Sequence, residues 1–465
     1  MAADGVGGGP ARRPRGRRTQ ILAAAAEQFH RRGYHQVAMA EVAAAVGITA
    51  PALYRHYRGK PELLRQAVRG GLGELAAAVA VAEAARGGAG QTGAAQVGAA
   101  RGGAGRGGPA VLAEALAAVA LDERALATLW QRDARLLPPP SRAELRRALR
   151  ASVRAASRII AADRPELSSQ QCELLVWSAL SVAGSLSYHT FAPPRRRFER
   201  LMAELLSEVL LSEVLRVEVS GDPSVQLRGA ETAPSGVAAA PGRREELLAA
   251  AVRLFDERGF DNVSTDRLGA AVGIAGPSLY KHFPAKGDLL AAALVRCRER
   301  LWHEVAPVLL AAGEPAAALD RGLCAYVAFA CRHHHYLGAM VSETERLAEP
   351  DRKAALDFRR DFLRLWVELL RQVRPADDKA EARIRVHAMF ALVNDGVRNG
   401  SRAPGAELAP LLHRLAHAVL GTAGGTAGGT AEGTVEGAAE GTAEGAGPAP
   451  GPPLRQRSAL PAVAG

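Results

Sequence analysis

Val46-Gly47-Ile48-Thr49-Ala50-Pro51-Ala52-Leu53-Tyr54-Arg55-His56-Tyr57 returns 226 residues later as Val272-Gly273-Ile274-Ala275-Gly276-Pro277-Ser278-Leu279-Tyr280-Lys281-His282-Phe283. A glycine in a tight turn, followed by a proline where a missing N–H costs little, is the bend and opening of a helix-turn-helix. Working outward, the match runs without a gap from Arg17-Arg18 and Arg243-Arg244 to Leu63-Leu64 and Leu289-Leu290. About 45% of these positions are identical, far above chance for unrelated helices, so the chain contains an internal duplication.

Upstream of each turn, Ile21, Ala25 and Phe29, or Leu247, Ala251 and Phe255, recur every fourth residue and define one buried helix face. That helix stops at Arg32-Gly33 or Arg258-Gly259, where glycine accepts a left-handed cap. A short helix follows, with Val42 and Val46, or Leu268 and Val272, facing inward. Leu53 and Leu279 then anchor the next helix, leaving Tyr54, His56, Tyr280 and His282 toward a groove and its phosphates. Lys60 and Lys286 stand at matched positions in a chain whose only other lysines are Lys281, Lys353 and Lys379. A phosphate contact is expected of them, because an ammonium is a compact point charge.

At 465 residues the chain exceeds one compact core and fits two folded units. The formal charge of +11 favours an anionic partner; the excess of arginine over lysine reads as base composition. Strand alternation and hairpin signals are absent, which predicts an all-α protein. The spacing divides it into a basic arm (1–14), a first head (15–75, with the helix-turn-helix at about 38–57), a Gly-rich linker (86–108) and a first helical body (109–217). A linker (218–240), a second head (241–301, helix-turn-helix at about 264–283), a second body (302–420) and a low-complexity tail (421–465) follow. The repeat extends faintly into the bodies: Arg135-Leu136-Leu137 resembles Arg346-Leu347-Ala348, and Arg164-Pro165 resembles Arg374-Pro375. The offset there falls to 210, as extra residues in the first linker would require. The four cysteines show no CxxC spacing and suit a reducing compartment. The best membrane candidate, Leu174 to Phe191, is short and interrupted by serines and His189, so a cytoplasmic protein with a buried helix there is expected.

Both heads resemble the N-terminal domain of TetR-family regulators, through Val46-Gly47-Ile48…Leu53-Tyr54…His56-Tyr57…Lys60 and Val272-Gly273-Ile274…Leu279-Tyr280…His282-Phe283…Lys286. The tandem layout is similar to that of single-chain double-TetR repressors of actinobacteria, mycobacterial ones included. The resemblance implies three-helix DNA-binding heads on helical ligand-binding and dimerisation bodies, with release from double-stranded operator DNA when a small molecule binds. Candidate DNA-binding residues are then Arg17, Arg18, Thr49, Pro51, Tyr54, Arg55, His56 and Lys60 in the first head. The second head offers Arg243, Arg244, Ser264, Thr265, Gly276, Ser278, Tyr280, Lys281, His282 and Lys286. The copies depart from the family pattern differently. Ser264-Thr265 keeps a cap that Ala38-Met39 lacks, and Thr49 stands opposite Ala275. Ala50, Ala52 and Arg55 face Gly276, Ser278 and Lys281, which predicts unlike half-sites. Arg12-Arg13-Pro14-Arg15-Gly16-Arg17-Arg18 could reach an adjacent minor groove.

In the bodies, Trp130, Trp177, Ser181, Tyr188, Tyr336, Met340, Phe390 and Asn394 are candidate pocket residues. The run Leu129-Trp130…Arg135-Leu136-Leu137-Pro138 resembles family members that sense lipid, steroid or acyl-thioester compounds, which implies an apolar effector. His333-His334-His335 beside Cys331 offers only Cys331 and His335 at one-turn spacing, too few ligands, so no metal or other cofactor is expected. No P-loop or GxSxG is present, which argues against an enzyme. Two regulator readings remain: release by an effector, or heads merely spaced by inert bodies. The assembly is either an intramolecular pseudo-dimer or a homodimer of chains.

Overall fold

The computed structural model describes residues 16–91, 107–213, 242–399 and 408–422, and among these every regular element is helical. The basic arm, most of the Gly-rich linker, the second linker and the tail beyond Thr422 lie outside the described residues.

The first head comprises α1 (Arg17–Arg32), α2 (Met39–Ala45) and α3 (Ala50–His56), from which α4 (Lys60–Gln91) departs. The stripe Ile21, Ala25 and Phe29 is buried, and α1 ends where Gly33 takes φ +81° and donates its N–H to Phe29 O. The turn from α2 to α3 depends on Gly47 at φ +66°, matched by Gly273 at +73°. α4 does not stop at residue 75. Val68, Leu72, Leu75, Val79 and Ala82 keep the helical period in the core, so one rod crosses from head to body and continues past residue 86.

The first body is α5 (Gly108–Asp122), α6 (Pro139–Asp163), α7 (Ser169–Gly184) and α8 (Arg195–Leu210). Between α5 and α6 the chain winds through a π-turn at Leu129–Asp133 and a 3-10 turn at Ala134–Leu136. Pro139 and Pro140 open α6, where no N–H partner is needed. The second copy is α9 (Arg243–Arg258), α10 (Thr265–Ala270), a 3-10 reading segment (Gly276–Lys281), α11 (Lys286–Leu309), α12 (Pro315–Ser342), α13 (Glu349–Val373), α14 (Lys379–Asn399) and α15 (Leu408–Leu420).

The offset of 210 holds throughout the bodies: α6 and α13 start and end in step, as do the 3-10 turns Ala134–Leu136 and Thr344–Arg346. Arg135 is therefore equivalent to Glu345, one position away from the Arg346 that the Arg-Leu pairs suggested. The paired Arg-Pro steps share a task. Arg164 donates to the carbonyls of Leu210 (3.3 Å) and Ser212 (2.9 Å), and Arg374 to Gly421 O (2.6 Å), satisfying the orphan carbonyls that end α8 and α15.

The two bodies meet within the one chain. α7 packs on α14 and α8 on α15, burying Leu205, Val209, Leu412, Leu415 and Val419 completely. Each such side chain contributes about 1.5–3 kcal/mol. Across this seam the rings of His189 and His387 lie 4.8 Å apart. Buried Arg385 donates to Val419 O at 3.0 Å and to the Glu208 carboxylate at 3.4 Å.

Candidate nucleic-acid interface

In both heads the reading segment is pinned from beneath and bare above. Leu53 and Leu279 are fully buried and Tyr57 and Phe283 nearly so, while Tyr54 and Tyr280 stand 52% and 53% exposed. Pro51, Arg55, His56 and Lys281 are also exposed, with Ser278 and His282 half-buried beside them. Arg17 donates to Val46 O at 3.0 Å and Arg243 to Val272 O at 2.7 Å, tying the first helix to the turn. Both guanidiniums remain exposed with donors to spare. Arg18 lies over the Tyr57 ring at 6.0 Å and Arg244 over Phe283 at 4.6 Å. Equivalent residues thus build the same basic, aromatic edge twice.

Three expected contacts are placed differently. Lys60 turns inward, donating to Val37 O (2.9 Å) and His35 O (3.4 Å) over the Tyr34 ring. Lys286 does the same toward Phe260 O and Val263 O, both 2.9 Å, over the Phe260 ring. Burial lowers both ammonium pKa values. The matched lysines close the loop between the first two helices of each head, because its carbonyls have no helical partners. Gly276, third, is buried, and a Cβ there would fall 2.0 Å from Asp266 Oδ1 and 2.9 Å from Asp266 Cα. It permits α10 to touch the reading segment and does not face a groove.

The capping differences have local consequences. Thr49 Oγ1 accepts from Ala52 N at 3.4 Å and α3 is an α-helix; Ala275 offers no such acceptor and the equivalent segment winds as 3-10. Ser264 Oγ caps α10 through Arg267 N at 3.2 Å, with Thr265 half-buried as its first residue. In the first head, where Ala38 cannot cap, the Glu41 carboxylate accepts Ala38 N–H at 2.7 Å and Arg32 at 2.8 Å, which lowers its pKa.

Behind the heads lie two cavities. The first, about 540 Å³, is lined in its body by Trp130, Trp177, Ser181 and the row Arg142, Arg146 and Arg150, with Asp256 and Glu257 of α9 closing one side. The second, about 620 Å³, includes Tyr326, Met340, Phe362, Phe390 and Asn394, with Tyr188 from the first body and His30 and Arg31 of α1. His30 and Asp256 are equivalent residues, so each body's cavity touches the first helix of the opposite copy's head. Tyr336 is absent from this lining; it is buried beside Arg300, whose guanidinium lies 5.8 Å from its ring. A polar wall separates the cavities: Gln131 donates to buried Asp395 at 2.7 Å and accepts from Tyr188 Oη at 2.5 Å. Burial raises the Asp395 pKa.

The junction with the heads is also crossed. Arg132 donates to Phe29 O at 2.5 Å and pairs with buried Asp133 at 2.8 Å, holding the first head to its own body. In the second copy the equivalent of Arg132 is Ser342, and Arg135 of the first body takes over. It donates to Phe255 O at 3.2 Å and to the buried Glu343 carboxylate. His35 and Asp261, equivalent residues of the two heads, meet at 3.0 Å. Sequence reasoning missed Arg132, Arg135 and Glu343, because only folding brings them together; the four-residue spacing of Arg142, Arg146 and Arg150 was visible.

Residues 21–67 and 247–293 each match the family of bacterial regulatory proteins, tetR family. The chain belongs to the TetR family, as a tandem regulator. Among curated TetR-type relatives, the regulator LmrA of Bacillus subtilis is 28% identical over 176 residues, 37% of this chain and 91% of LmrA. The repressor KstR2 of Mycobacterium tuberculosis is 30% identical over 28% of this chain and 66% of its own; its solved structure has a TM-score of 0.36 at 24% identity, covering 39% of this chain and 95% of that one. The activator FasR of Mycolicibacterium smegmatis is 49% identical over 47 residues, 10% of this chain and 22% of FasR. TetR-family members are helix-turn-helix transcriptional regulators and not enzymes. Among the described residues no helix is long and apolar enough to cross a membrane.

Proposed function

We propose that this TetR-type chain is a cytoplasmic, effector-released repressor in which one polypeptide supplies both readers of an asymmetric operator. The observation that carries the reading is the pairing of two heads with equal frameworks and unequal faces. Tyr54, Arg55 and His56 on an α-helix stand opposite Tyr280, Lys281 and His282 on a 3-10 segment. Arginine and lysine address base edges differently, the first as a bidentate fork and the second as a point charge. The seam between α7, α8, α14 and α15 keeps both heads on one body, as a pseudo-dimer requires.

Release is supported by the cavities. A molecule filling the first would press on Asp256 and Glu257 of the second head and on Arg135, its strap. The lining favours an amphipathic anion. Leu72, Leu116 and Leu180 supply apolar wall, and buried Arg142 Nε has no hydrogen-bond partner. The second cavity is walled by Tyr326, Phe358, Phe362 and Phe390, which suits an apolar or aromatic body. Arginines line both cavities, Arg142 and Arg146 in the first and Arg359 and Arg383 in the second, so both suit an acidic group beside an apolar body, the second a more aromatic one.

In vitro selection of DNA from a random pool, with the mass of the selected complex, tests this. One chain on two dissimilar half-sites is expected. A perfect inverted repeat held by two chains would overturn the asymmetric reading. Failure of every acyl thioester, fatty acid and steroid carboxylate tried to weaken the selected complex would remove effector release.

A further inference from the structure

We propose that the second body holds a divalent transition-metal site of Zn²⁺ type, built from Asp320 and Cys324 on α12 and His413 and His417 on α15. Each pair is separated by one helical turn, so its members stand on one face, and α12 packs against α15. Asp320 Oδ1 lies 3.1 Å from His413 Nε2 and 2.9 Å from His417 Nε2. The three donor atoms lie within 4.8 Å of one another. Cys324 Sγ is 3.3 Å from His413 Nε2 and is placed to complete the set. The other ring nitrogen of His417 lies 2.7 Å from Thr422 Oγ1, the outer hydrogen bond that fixes a metal-binding imidazole.

The donor chemistry selects the metal. Donors about 2.0–2.3 Å from Zn²⁺ stand about 3.3–3.7 Å apart around a tetrahedron; the Asp320–His413 and Asp320–His417 separations of 3.1 and 2.9 Å are a slight contraction of that, and Cys324–His413 at 3.3 Å falls within it. Two imidazoles and a sulfur exclude Mg²⁺ and Ca²⁺, which take oxygen. Binding displaces the thiol proton and the proton shared between histidine and carboxylate, leaving thiolate and neutral imidazoles as ligands.

The duplication supplies a comparison within the molecule. At an offset of 210 the four positions are Ala110, Glu114, Ala203 and Ser207. The interleaved core is retained: Leu411, Leu412 and Leu415 match Leu201, Met202 and Leu205, all buried. The fold therefore does not need these donors, yet they occur together in one copy. His413 and His417 are 21% and 13% exposed, reachable by an ion from solvent. A bound metal would staple α12, which contributes Tyr326 and Met340 to the second cavity, to α15 at the seam.

The full chain, stripped with a chelator, is titrated with ZnCl₂ and separately with CoCl₂. The expected result is one equivalent per chain, with tetrahedral cobalt d–d bands and a sulfur-to-cobalt charge-transfer band. Cys324→Ser should abolish the charge-transfer band. His413→Ala with His417→Ala should weaken Zn²⁺ at least about 100-fold, beyond the loss typical of an outer-shell partner. Circular dichroism checks that this double variant stays helical, and His417→Gln is the conservative alternative if it does not. No stoichiometric uptake, uptake unchanged in these variants, or an octahedral cobalt spectrum without the sulfur band would overturn the assignment.

Discussion

Single side chains divide into those that read and those that hold, and the lysines show how easily the two are confused. Lys60 and Lys286 looked like phosphate contacts because their positions are equivalent; their equivalence instead serves two backbone carbonyls in each head. Lys286→Met should lower stability by about 1–3 kcal/mol, the cost of leaving such carbonyls unsatisfied, with an unchanged salt dependence of DNA binding. A slope smaller by about one with unchanged melting would return the ammonium to the phosphates. Arg135 is the sharper case. Arg135→Ala strands the Glu343 carboxylate, which burial already pushes up in pKa, and should cost about 3–5 kcal/mol in denaturant unfolding. Arg135→Met with Glu343→Met should recover most of that stability while freeing the second head. Equal stability losses in the single and double variants would show that the strap is not a discrete pair. Leu53, Tyr54 and their partners were legible from periodicity alone. Arg135 was not, since nothing in a linear pattern announces a contact with Phe255, 120 residues away.

Among the elements, the long-period features were readable and the short ones were not. The apolar stripes of α1 and α9, the proline starts of α6 and α13 and the Arg-Pro stops all follow from local chemistry. The span of α4 beyond residue 86 was masked by its small residues, which look like linker yet keep helical hydrogen bonds. The 3-10 winding of the second reading segment was also hidden, because it accompanies two local features, the missing cap acceptor at Ala275 and the close seating of Gly276 against Asp266. Gly276→Ala should therefore destabilise the second head by about 1–3 kcal/mol through overpacking and abolish binding at its half-site. Ala50→Gly, the reverse exchange in the first head, should cost only about 1 kcal/mol of helix propensity. Hydrogen exchange of the two heads in each variant measures this; equal effects in both would mean the segments are conformationally alike.

For the whole molecule, the seam sets the response to acid. Burial and Arg124 hold the His189 pKa down to about 4, and burial with His189 nearby depresses that of His387. Both groups are neutral in the folded state near neutrality, so their contribution is complete above about pH 6.5, the unfolded value. As pH falls the unfolded chain takes up protons that the folded seam refuses, and stability drops. For His189 alone the loss between pH 7.5 and pH 5 should be about 2 kcal/mol. His189→Phe should flatten urea midpoints over that interval, and an unaltered slope would place the acid sensitivity elsewhere. Because α7 and α8 meet α14 and α15 inside one polypeptide, dilution cannot part them. Melting temperature should accordingly be the same across a hundredfold range of protein concentration, and a midpoint rising with concentration would reveal assembly between chains. Gene dosage then matters differently. On the proposed single-chain reading, a regulator whose halves are made in equal number, already joined, fills its operator in proportion to its abundance rather than to the square of it, and remains effective at a few copies per cell.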